Sequence, residues 1–151
     1  MVTYTININI DQPTDVIVKA LMDPYNFPYW QTDLERFEVI EGKPGEVGSI
    51  GRLHYSQKGK KYVLEDKLIY CEPGRKYISE VTGEALNAQV ETVLRPSGNG
   101  TEMTIKWSGE AKTFPLRLLL PLMKGKMIKQ GQLELEKFKR LIESKGSDFS
   151  A

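Results

Sequence analysis

The chain has 151 residues, 40% hydrophobic and 27% charged, and its 21 Lys and Arg nearly balance 20 Asp and Glu at a net charge of +1. That length suits one domain, residues 1–151, able to bury a core without metal or disulfide staples. The charge balance argues against a dedicated nucleic-acid binder, where phosphate neutralisation demands a basic excess, and the single cysteine, Cys71, excludes an internal disulfide.

Tyr4, Ile6, Ile8 and Ile10 alternate with Thr5, Asn7 and Asn9. This two-residue period predicts a half-buried strand. Pro13 or Thr14 then opens a short helix with Val16, Ile17, Ala20 and Leu21 on one face, and Asp23-Pro24 closes it. Residues 24–30 hold four aromatics and two prolines. They predict one turn or a short helix with its aromatics tucked against a sheet.

From residue 33 to 111 strand-like segments alternate with turn signals. The strands are predicted over Leu34–Glu41, Ser49–Gln57, Lys61–Cys71, Arg75–Val81, Leu86–Leu94 and Thr101–Gly109. Gly42-Lys43-Pro44-Gly45, Lys58-Gly59-Lys60, Glu72-Pro73-Gly74, Gly83 and residues 96–100 punctuate them. The connections leave no room for crossover helices, so the pairing is antiparallel. In the third of these segments Tyr62, Leu64, Asp66, Leu68 and Tyr70 read as the inward parity, with Glu65 outward. Val63, Ile69 and Cys71 make the other parity apolar too, so a bulge can reverse the choice partway. Pro115 to Lys145 is rich in helix formers, with Leu135, Phe138, Leu141 and Ile142 at helical spacing, and Gly146-Ser147 ends it. Pro121 and Gly125 predict a kink or a frayed first turn.

The order of strand, two short helices, six strands and one long helix resembles the helix-grip fold of the START-related, birch-pollen-allergen-like (SRPBCC) superfamily. Asp23-Pro24, Trp30, the Glu41 to Gly45 turn with Gly48, Glu65 eight residues before Pro73, and Lys137-Phe138-Lys139 with Glu143 add to the likeness. The resemblance is to its small, standalone, polyketide-cyclase-like bacterial members. It implies an α+β fold: a curved antiparallel sheet of about seven strands, two short helices and one long C-terminal helix. It also implies a cavity between sheet and helix that holds a small hydrophobic molecule, such as a lipid or polyketide. Placed on this sequence, the implied lining takes Phe27, Trp30, Tyr55, Leu64 and Tyr70 from the first half. Glu80, Val90, Trp107, Met123 and Met127 complete it, with Tyr62 and Met103 as further candidates.

No motif for a cofactor, a phosphate loop or a nucleophile elbow is present. One histidine, His54, and one cysteine do not make a metal site without carboxylates, and Cys71 reads as a buried structural thiol. General acid–base work by His54, Glu65, Asp66 or Glu80 is the one enzymatic option left, in the manner of a cyclase or dehydratase. A protein-interaction module of the chaperone-partner type is the third reading. No span reaches roughly 18 apolar residues and the first residues lack a basic leader, so the expectation is a cytoplasmic protein. Residues 114–123 are apolar on nearly every side of a helix. They predict a cavity portal, a homodimer contact, or a membrane surface contact with Lys124, Lys126 and Lys129 at the headgroups.

Overall fold

The computed structural model describes residues 1–151. Seven strands form one antiparallel sheet: β1 (Val2–Ile10), β2 (Leu34–Glu41), β3 (Ile50–Gln57), β4 (Lys60–Glu72), β5 (Lys76–Thr82), β6 (Leu86–Ser97) and β7 (Gly100–Ala111). The spatial order is β1-β7-β6-β5-β4-β3-β2. Every neighbour is a hairpin partner except β1, which returns beside β7. Two short helices, α1 (Thr14–Leu21) and α2 (Phe27–Trp30), separated by a 3-10 turn over Pro24–Asn26, carry the chain from one edge strand to the other. The long helix α3 (Phe114–Lys145) packs chiefly on β1.

The alternation in β1 is realised directly. Val2, Ile6 and Ile10 are buried while Thr3, Thr5, Asn7 and Asn9 are exposed. The main core lies at one end of the molecule, where Ile10, Ile17, Leu94, Met103, Leu135, Phe138 and Ile142 meet. Glu143 accepts from the backbone N–H of Asp11 at 2.8 Å and Lys139 donates to the carbonyl of Asn9 at 2.6 Å, pinning the end of α3 to the end of β1. No helix is long and apolar enough to cross a membrane.

Three local expectations change. The aromatic segment divides: Phe27 and Trp30 turn inward, whereas Tyr25 and Tyr29 are exposed. Phe27 meets Phe37 edge-on at 5.2 Å and Trp30 meets Phe138 at 5.1 Å, so α2 is held by aromatic contacts to β2 and α3. β6 runs on to Ser97 through Pro96. Pro96 is tolerated because β5 starts at Lys76, opposite Val93, so the missing N–H is wanted by no strand on that side. Finally, α3 begins at Phe114 and is helical throughout its 32 residues, Pro121 included.

Beyond Gly146 the chain folds back. Phe149 is fully buried against Phe138, at 5.5 Å between rings. Asn26 fastens it: its amide donates to the carbonyls of Ala20 and Ser147, and its oxygen accepts from Phe149 N–H at 3.0 Å. A buried amide with three satisfied bonds is the usual way such a group is accommodated.

Candidate functional site

Away from that core, the concave sheet face and the first half of α3 do not meet. A cavity of about 740 Å³ lies between them, and 25 of its 42 lining residues are hydrophobic. This falls in the size range of small-molecule sites. Its floor is built by the inward parity of each strand, including Phe37 from β2, Leu53 and Tyr55 from β3, Leu64 from β4, and Val90 from β6. Gly51 leaves room for one wall: a Cβ there would sit 2.0 Å from the Phe37 ring. The roof is α3, with Leu116, Leu120, Met123, Met127 and Glu134 facing down. Both tryptophans of the chain, Trp30 and Trp107, are in the lining.

Of the residues placed in the cavity by sequence, Phe27, Trp30, Tyr55, Leu64, Val90, Trp107, Met123 and Met127 line it, as does Tyr62. Tyr70 and Glu80 do not, and their assignment is corrected here. The cause for Tyr70 is a bulge. Leu68 pairs with Ser79 but Tyr70 pairs with Ile78, so Ile69 is the extra residue and the facing of β4 inverts after it. Tyr70 therefore stands outside, hydrogen-bonded to Glu72 with Lys76 Nζ 5.7 Å from its ring centre. Cys71 instead packs against the core, opposite Tyr77, which takes the cavity position expected of Tyr70. Glu80 is exposed because Tyr77, Ser79 and Val81 hold the inward parity of β5. Glu65 is exposed on β4 for the same reason, and His54 lies on the outer face, bonded to Glu38 at 2.9 Å. Met103 is wholly buried in the core and does not reach the cavity.

Comparison with solved structures places this geometry among known folds. Protein CV1439 from Chromobacterium violaceum matches over 93% of this chain and 96% of its own, with a TM-score of 0.75 at 17% identity. Protein MLL2253 from Mesorhizobium loti matches over 95% and 98%, at 0.73 and 19%. Ara h 8.0201 matches over 91% and 97%, at 0.67 and 16%. The chain shares the helix-grip fold of these structures. No family model and no curated protein matches the chain in sequence.

Within the helix-grip cavity, hydrogen-bonded polar groups cluster at the loop 31–33. There Tyr55 donates to Gln31 Oε1 at 3.2 Å and stacks on Tyr62 at 5.0 Å. Glu134 of α3 accepts from the backbone N–H of Thr32 at 2.7 Å, tying roof to loop. Burial, and secondarily the charge of Glu134, push the Tyr4 hydroxyl up to about 12. Burial first, then neighbouring acidic groups, raise Tyr55 and Tyr62 as well, so all three phenols stay neutral donors at physiological pH. Asp66 lies apart on β4. Burial raises its carboxyl from 3.8 to about 6, partly offset by the neighbouring Ser79 hydroxyl. Asp66, Tyr77, Ser79, Gln31 and Glu134 are among the cavity's polar residues that the sequence-based lining omitted. Asp66 had a legible signal in its alternation with Leu64 and Leu68; Glu134 had none beyond its place on the helix.

The segment 114–123 divides by helical face. Leu116, Leu120 and Met123 look into the cavity, while Phe114, Leu118, Leu119 and Leu122 are exposed, Leu122 at 82%.

Proposed function

We propose that this protein binds one small hydrophobic molecule in the cavity under α3, as a carrier or sensor. The observation that carries this reading is the cavity itself, about 740 Å³ of mostly apolar volume left open between the sheet and α3. Methionines 123 and 127 in the roof suit it, because an unbranched thioether side chain adapts to irregular apolar shapes.

The test is titration with N-phenyl-1-naphthylamine, a neutral apolar fluorophore. Saturable binding at one per chain, with energy transfer from Trp30 and Trp107, is the expected result. Val90→Trp fills the space above β6 and should abolish the signal while the protein stays folded. Linear, non-saturating fluorescence unaffected by that substitution contradicts the reading.

One observation favours a second reading, a cyclase- or dehydratase-type enzyme. Asp66 is a carboxylate raised toward neutrality inside an apolar cavity, the condition under which such a group exchanges protons with a substrate. With Glu65 and Glu80 on the outer face, it is the one carboxylate of β4 and β5 facing the cavity. Turnover of a polyketide substrate lost in Asp66→Asn, with the fold intact, would select this reading.

A further inference from the structure

The carboxylate of Asp66 has no cationic partner within the protein. It lies on the concave face of β4 between Leu64 and Leu68, all three in the cavity lining. No Lys, Arg or His reaches within 4 Å of it, and the Ser79 hydroxyl is the one polar group acting on it. The other charged groups of the lining are differently placed. Glu134 is occupied by the Thr32 N–H, while Asp33, Glu41 and Lys126 are exposed at the rim. Tyr55 and Tyr62 offer only neutral hydroxyls. The cavity therefore contains two carboxylates away from its rim, Asp66 and Glu134, and no cation. A buried carboxylate is costly unless something donates to it.

We propose that the ligand is an apolar molecule carrying a hydrogen-bond-donating head, a protonated amine or a hydroxyl, which donates to Asp66, and that the cavity rejects molecules ending in a carboxylate. The inference rests on the cavity being a ligand site and adds the polarity of what it takes. A donor head satisfies the carboxylate by a charge-assisted hydrogen bond. A carboxylate head places a like charge beside Asp66 where little water screens it, so one of the two must take up a proton before both fit. Protonation of Asp66 below its raised pKa removes that barrier.

Three ten-carbon chains that differ only at the head decide it: decylamine, 1-decanol and decanoate, each displacing N-phenyl-1-naphthylamine. In the native protein at about pH 8 the amine and alcohol should compete at least about ten-fold better than decanoate, the size of one charge-assisted hydrogen bond. At about pH 5 decanoate should gain on the amine. Asp66→Asn should shrink the amine-to-decanoate ratio to within about three-fold, and Glu80→Gln, on the outer face of β5, should leave it in place. Decanoate binding best at about pH 8, or a head-group order unchanged in Asp66→Asn, overturns the proposal. So does collapse of the order in Glu80→Gln alone. The native protein's series at two pH values stands even where the variant does not fold. Probe binding without head-group preference defeats this inference alone, whereas absence of any probe binding defeats the cavity reading beneath it.

Discussion

Asp66 illustrates how one residue links pH to stability. Its carboxyl titrates near 3.8 when solvated and at about 6 in the fold, chiefly because burial disfavours the charge. The folded state therefore holds this proton more tightly than the unfolded chain. Stability falls as pH rises from about 4 to about 6, and the cost is fully present above that window, roughly 3 kcal/mol at about 1.4 kcal/mol per unit. Asp66→Asn should accordingly stabilise the protein by about 1–3 kcal/mol at about pH 7.5 and by much less at about pH 4. Urea unfolding at the two pH values checks this, and an equal effect at both would contradict it. A residue that lowers stability where an amide would not is a mark of use rather than of packing.

The same scale shows why some of the lining was legible and some was not. Leu64 and Asp66 were placed by strict alternation, which needs only the two-residue period. Tyr70 obeys the same alternation on paper, but the Ile69 bulge breaks the count. Both parities of β4 are apolar around it, so hydrophobic pattern cannot locate the break. Glu80 carries no parity signal of its own in the sequence, and its inward neighbours Ser79 and Val81 set its outward facing. Phe149 is isolated among polar residues in the sequence, and its burial comes from contacts that no local pattern signals, the Phe138 ring and, across 123 positions, the Asn26 side chain.

At the scale of elements, α3 performs two tasks in sequence. Its second half, with Leu135, Phe138 and Ile142, closes the core, and this was visible as helical spacing. Its first half roofs the cavity with one face and leaves another bare. Pro121 leaves the helix continuous, at the cost of the backbone hydrogen bond that a donor at this position would give to Arg117. Leu120 is 4% exposed whereas Leu118 is 64% exposed. Leu120→Ala should cost about 2–3 kcal/mol, the lower part of the range for buried leucines, because a site bordering open volume loses fewer contacts. Leu118→Ala and Leu122→Ala should stay within about 0.5 kcal/mol. Equal losses at all three positions in urea unfolding would mean that the outer face of α3 is covered.

At the scale of the whole molecule, a single sheet closed by one helix has a geometric consequence. The sheet curves further than one helix can fill, so the packed core collects at the end held by α1, α2 and the C-terminal turn, and open volume remains under the start of α3. The fold was legible because strand count, turn positions and the long helix are local signals that agree with one another. The contents of the cavity were less legible, since they depend on how curvature brings distant side chains together. The most direct measurement is native mass spectrometry of the folded protein, as purified and after exposure to 1-decanol. One small apolar molecule per chain is expected, absent from Val90→Trp. A bare-chain mass under both conditions would contradict it.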